Sequence, residues 1–162
     1  MIRRTSFAVV LSAAVLAACG SVTDSVKFNV PSNYQSEASI GSFMQVWKTP
    51  DEKSVMMLMA FPGELDLNKA MQNAKITDVK FRKREHITIC GNQSADYAET
   101  TGVTSASVKI GVGTASGTNT DSNVDMLATV ANGKTYLAMY TYPLHSAADN
   151  SAVAALHGLC AK

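Results

Sequence analysis

Val124-Asp125-Met126-Leu127-Ala128-Thr129-Val130, then Ala131-Asn132-Gly133, then Lys134-Thr135-Tyr136-Leu137-Ala138-Met139-Tyr140-Thr141-Tyr142 is the stretch that decides the fold. Two β-prone runs joined by Asn-Gly are the strongest short-range signal of a hairpin. A tight hairpin turn needs left-handed backbone at its centre, which Asn and Gly adopt most readily. Tyr136, Tyr140 and Tyr142 share strand parity, so they lie on one face, and Pro143 stops the second strand. With Trp47, these tyrosines offer either packing beneath a helix or a recognition surface.

Working outward, other short runs carry the same signature. Val26 to Val30 alternates apolar and polar residues and stops at Pro31, a strand; residues 31 to 41 read as loop. Phe43 to Lys48 and Ser54 to Phe61 form a hairpin around Pro50-Asp51-Glu52-Lys53. Its second strand is apolar on both faces, which predicts a central position in a sheet covered on both sides. Asp66 caps a helix running to about Lys75, with Leu67, Ala70, Met71 and Ala74 along one stripe. Asp78 to Cys90 reads as one long strand or two broken ones, and Gln93 to Val103 as another. Residues 100 to 123 are rich in Ser, Thr and Gly, apart from Val108 to Val112, and read as a bulged strand flanked by loops or an exposed ribbon. Asp149 or Ser146 caps a final helix carrying Val153, Leu156 and Leu159, ending at Cys160.

The start of the chain has a different composition. Arg3 and Arg4 precede an apolar run, Phe7 to Leu16, which leads into Leu16-Ala17-Ala18-Cys19, the layout of a secretory signal. The run is too short to span a bilayer as a mature helix. Its last four residues resemble a bacterial lipoprotein lipobox, which implies that residues 1–18 are removed and Cys19 is lipidated and becomes the N-terminus. Position +2 is Gly20 rather than Asp, which by resemblance to enterobacterial sorting favours the outer membrane, facing the periplasm. Residues 19–25 then form a short tether with a reach on the order of 13 Å, and residues 26–162 a single domain. Roughly 140 residues remain after cleavage, enough for one core. With 14 Lys and Arg against 13 Asp and Glu, and two of the arginines in the signal, the charge is near zero, which argues against nucleic acid as the partner.

With Cys19 assigned to lipid, Cys90 and Cys160 remain in an exported chain and are expected to form a disulfide. It would close a loop of about 70 residues, worth roughly 4 kcal/mol on the chain-entropy estimate. No CxxC or neighbouring histidine supports a metal pair.

Catalytic constellations are sparse. Glu85 and His86 are adjacent in a strand and face opposite ways; His145 sits in a turn and His157 beside the core stripe of the last helix. Gly111 to Gly117 lacks the spacing and the following Lys-Ser or Lys-Thr of a phosphate loop. Met56, Met57 and Met59 offer soft thioethers for Cu(I), but alternate across a strand and suit core packing better. Asn92-Gln93-Ser94 fits a glycosylation sequon, which carries little weight in a bacterium. No cofactor or metal is implied. The one concentration of charge is Lys80, Arg82, Lys83, Arg84, in which regular strand geometry places Lys80, Arg82 and Arg84 on one face, either solvated or a contact patch for anionic headgroups or an acidic protein.

The order of elements completes the reading: Phe28-Asn29-Val30-Pro31 with Tyr34, a hairpin with Trp47, a strand ending Phe61-Pro62, a helix, further strands and a closing helix. It resembles the PsbP-like α/β/α sandwich found among small envelope lipoproteins. The resemblance implies an α+β chain of one domain, an antiparallel sheet flanked by helices and used mainly as a protein-binding or assembly scaffold. The Cys90 and Cys160 pair and the Gly/Ser/Thr-rich segment depart from that pattern. The expectation is a non-enzymatic envelope lipoprotein that contacts the membrane through Cys19 and binds an envelope protein. A carrier of a small apolar or lipidic ligand is the first alternative, and an envelope enzyme the second.

Overall fold

The computed structural model describes residues 20–76, 78–103, 108–110, 113–115 and 121–162. The signal, Cys19 and most of the glycine-rich run 111–117 lie outside the described residues. The decisive hairpin forms as the sequence requires. Strands β9 (Asp121–Ala131) and β10 (Lys134–Pro143) pair antiparallel from Ala131 opposite Lys134 to Ser122 opposite Pro143. Asn132 and Gly133 both take positive φ, 51° and 72°, the backbone of a type I′ turn.

On this spine the sheet grows both ways. Its other strands are β2 (Gln35–Ile40), β3 (Met44–Lys48), β4 (Val55–Pro62), β5 (Val79–Ile89) and β6 (Gln93–Val103). The order is β2-β3-β4-β10-β9-β6-β5, antiparallel throughout. Between β6 and β9 the described part of the Ser/Thr/Gly-rich segment is a separate two-stranded ribbon, β7 (Val108–Ile110) with β8 (Gly113–Ala115).

Period-two alternation in the central strands divides the apolar residues into two cores. One face carries Tyr136, Ala138, Tyr140 and Tyr142 with Met56, Leu58, Trp47 and Leu127, packed with Ala152, Ala155 and Leu156 of helix α2 (Asn150–His157). The other carries Leu137, Met139, Met126, Met59 and Phe61, packed with Leu67, Ala70 and Met71 of helix α1 (Leu67–Asn73). Asp66 caps α1 by accepting from Lys69 N, and Asp149 caps α2 by accepting from Ser151 N.

Several expectations need correction. The molecule is sheet-dominated, since helices of 7 and 8 residues flank the sheet only in part. Irregular chain covers much of the α2 face, with Val22, Phe28 and Tyr34 buried in that core. Val22 is 2% exposed, so the described part of the tether, residues 20–25, is fastened to the domain through it. The strand read as Val26 to Val30 shrinks to β1 (Val26–Lys27). Residues read as loop contain β2, whose Gln-Ser-Glu-Ala-Ser-Ile lacks an apolar stripe because it is an edge strand with only Ala38 and Ile40 reaching the core.

The last helix also ends earlier than expected. Gly158 caps α2, and Cys160 belongs to a separate short strand, β11 (Cys160–Ala161), which pairs with β1. The Cys90–Cys160 disulfide forms across a Cα–Cα distance of 5.8 Å and ties β11 to the turn between β5 and β6. Gln93 accepts from Ala161 N through its side-chain oxygen, and Ser25 O accepts from Lys162 N. Both ends of the described chain are thereby fastened to one corner of the sheet. Substituting both cysteines by serine should therefore lower stability by about 4 kcal/mol on the loop-entropy estimate. Hydrogen exchange of Val26–Lys27 and Cys160–Ala161 should rise more than that of β9 and β10. Denaturant melts and exchange mass spectrometry measure both.

Candidate functional site

The basic run lies on β5, an 11-residue strand at one edge of the sheet. Its pairing with β6 shifts register between Phe81 and Lys83, so Phe81 stands opposite Thr100 and Lys83 opposite Glu99, with Arg82 the extra residue. A β-bulge inserts one residue and so reverses the parity beyond it. This corrects the shared-face expectation in part: Lys80, opposite Thr101 on the parity of Glu99 and Tyr97, shares the α2 face with Arg82, and Arg84 does not. Arg82 turns onto the α2 face, where its guanidinium lies 3.4 Å from the Tyr142 hydroxyl and 3.7 Å from Asp125 Oδ1. Arg84 turns to the α1 face, donating to Asn68 Oδ1 at 2.9 Å and lying over the exposed Phe81 ring. Lys83 joins Arg82 on the α2 face, pairing with Glu85 at 2.8 Å above the Tyr97 ring.

Beneath Arg82 is the feature the sequence reading missed. Asp125 is 2% exposed, and its Oδ1 has no hydrogen-bond partner. Other buried polar side chains of the sheet are satisfied. Thr100 donates to Val124 O, Thr129 to Ser94 O and Thr135 to Gly63 O, while the Asn123 amide donates to Pro143 O and Leu144 O. A buried carboxylate with an unsatisfied oxygen is disfavoured in its charged form. Burial, followed by the negative charge of Glu99, pushes the Asp125 carboxyl up to about 6, against opposing contributions from Arg82 and the Tyr142 and Tyr97 hydroxyls. Burial is also the first cause raising the Tyr97 and Tyr142 phenols. The arrangement thus has a cation at the surface, an acid kept from full ionisation below it, and aromatic walls.

The remaining candidates disperse. His86 is exposed on the α1 face, its Nδ1 3.0 Å from Asp96 Oδ1 across the β5–β6 pair. His157 is exposed on α2 with its ring against Tyr97, and His145 is exposed in the turn after β10. The three imidazoles do not converge. Tyr136, Tyr140, Tyr142 and Trp47 are buried, and Tyr140 stacks on Tyr142 at 4.7 Å, so of the two readings of these aromatics the structure takes core packing. Met56 and Met59 are buried in opposite cores. Among the described residues no group of three His, Cys, Asp or Glu is placed to hold a metal ion, and no helix is long and apolar enough to cross a membrane.

The chain enters the described domain far from this site. Ser21 reaches the Gln45 side chain on β3, whereas Arg82 lies on β5, five strand spacings or about 24 Å across the sheet.

No protein-family model matches the sequence, and no curated protein sequence does. Among solved structures the chain is similar to a protein from Bacteroides thetaiotaomicron, at 12% identity and a TM-score of 0.53, over 89% of this chain and 47% of that one. The chain thus spans about half the length of the Bacteroides protein. It is also similar to the solution structure of PsbP (CyanoP) from the cyanobacterium Synechocystis, at 13% identity and a TM-score of 0.48, over 81% and 84% of the two chains. The first likeness is one of fold alone.

Asp125 makes a signed prediction. Its carboxyl is raised in the folded state above the ordinary value near 3.9, so the native protein binds the proton more tightly than the unfolded chain. Its contribution favours folding at low pH and is lost as pH rises through about 6. Asp149 and Asp51, whose carboxyls are lowered chiefly by side-chain hydrogen bonds from Ser151 and Thr49, act in the opposite sense. Comparison with Asp125→Asn isolates the first effect. The variant should gain roughly 2 kcal/mol on the wild type between pH 4 and pH 7.5, read from urea melts at each pH.

Proposed function

We propose that this chain is a cell-envelope lipoprotein, held by a lipid on Cys19, that serves as a non-enzymatic binding or assembly module for another envelope protein. The run Leu16-Ala17-Ala18-Cys19 behind Arg3, Arg4 and the apolar stretch carries the first half of this reading. The Cys90–Cys160 bridge supports it, because disulfides persist in oxidising compartments. The second half draws support from the PsbP-like order of elements read in the sequence and from the β5 edge, beside which no further strand lies among the described residues. That edge combines the exposed Phe81 ring with Lys80, Arg82, Lys83 and Arg84. It lies across the sheet from where the chain enters, which favours a protein partner over the anchoring bilayer as its contact.

One observation favours a second reading, an enzyme. A buried carboxyl held near about 6 is typical of catalytic acids. Asp125 faces Arg82, Glu99 and two phenols, however, rather than a nucleophile, and the binding reading accounts for more of the chain.

Two measurements test the proposal. Intact mass of the protein purified from membranes should show a diacylglyceryl-type increment on a chain beginning at Cys19, and Cys19→Ala should abolish it and release the protein from the membrane fraction. A photo-reactive residue in place of Lys80 should crosslink one envelope protein, whereas the same residue in place of Ser36 on the opposite edge should not. An unacylated wild-type N-terminus defeats the first half, and equal or absent crosslinking at the two edges defeats the second.

A further inference from the structure

The Arg82–Asp125 contact has an unusual construction. The bulge between Phe81 and Lys83 exists at the outer edge of the sheet, where β5 has β6 on one side and no strand on the other among the described residues. It leaves Arg82 on the α2 face, on the parity of Lys80, and adds Lys83 to the same face. Arg82 is the solvent-facing member, its side chain 41% exposed against 3% for Asp125, so the guanidinium lies between the carboxyl and water. At 3.7 Å it stands beyond hydrogen-bond distance and leaves Oδ1 unsatisfied.

The groups around Asp125 offset this only in part, since the Tyr142 and Tyr97 hydroxyls favour its charged form while Oδ1 stays unsatisfied. From β5 come Arg82 and Lys83, the latter engaged with Glu85. From β6 come Glu99, whose charge opposes ionisation, and Tyr97, whose hydroxyl lies 3.5 Å from Glu99 Oε1. From β10 come Tyr140, directly opposite Asp125, and Tyr142, which meets Arg82. From α2 comes His157, whose ring rests on Tyr97. A charged Asp125 therefore gains from admitting water, and a neutral one does not.

We propose that the bulged segment of β5 carrying Arg82 is a proton-linked flap over Asp125, closed when the carboxyl is protonated and opened by its charge. The direction follows from linkage. In the open state water restores the carboxyl to its ordinary range near 3.9, while in the closed state it titrates near about 6. Opening thus releases a proton, and the opening constant rises about tenfold from pH 5 to pH 7.5. The flap forms the first half of the same edge strand that carries the basic run, so its opening changes the backbone and charge that this edge presents. The device is independent of whether the chain is lipidated.

Hydrogen exchange of the full-length protein tests it, followed on residues 79–84 and corrected for the intrinsic pH dependence of exchange. In the wild type the corrected opening of this segment should increase about tenfold between pH 5 and pH 7.5, while residues 87–89 of the same strand stay constant. In Asp125→Asn the segment should be at least as closed at pH 7.5 as the wild type is at pH 5, with no dependence on pH. A wild-type segment with pH-independent opening overturns the proposal without recourse to the variant. So does an Asp125→Asn protein that retains the wild-type pH dependence.

Discussion

The register of one hairpin governs the rest of the molecule. Asn132 and Gly133 supply the two left-handed residues of a tight turn, and that turn leaves a single pairing between β9 and β10. A slip of one residue would send Tyr136, Tyr140 and Tyr142 to the α1 face and Leu137 and Met139 to the α2 face, exchanging two cores of different shape. Because β10 also pairs with β4 and β9 with β6, the same register sets which face every central side chain occupies. The two helices occupy places that this sheet has already defined.

The same alternation places a carboxylate where the fold can least accommodate it. Asp125 stands opposite Tyr140 and on the parity of Leu127, so the register that buries the tyrosines buries Asp125 with them. Arg82, on the parity of Lys80, meets that charge, and the bulge in β5 sends Arg84 to the far side of the sheet, where it holds Asn68 of α1. One inserted residue separates what sequence spacing had grouped. It also turns a solvated basic run into two unrelated contacts, one with a buried acid and one with a helix.

A second organising device is the corner where the two ends of the domain meet. The disulfide fixes β11 to the turn after β5, β11 pairs with β1, and Ser25 accepts from the last residue of the chain. The segment leading into β1 is itself folded onto the α2 face through Val22. An anchor at Cys19 would therefore pull on packed structure rather than on slack chain, which ties any membrane attachment to the orientation of the sheet.

The sequence determined the hairpin, the two-sided apolar character of β4, the Asp66 cap, strand β6 and the pairing of Cys90 with Cys160, and it left Asp149 and Ser146 as alternative caps of α2 and β5 as one long strand or two. What it determined follows from local rules: turn chemistry, alternation, capping side chains, and the arithmetic of two cysteines. The position of Asp125 was also legible, since the Asn-Gly turn sets it opposite Tyr140, but an aspartate within a strand reads by composition as solvated. Strand β2 was hidden because an edge strand needs little apolar surface, and β11 because two residues carry no periodicity. Only the tertiary structure decided the fate of the basic run and of Val22. A bulge and a packed N-terminal segment arise from how distant strands and cores fit together, and no window of neighbouring residues contains that information.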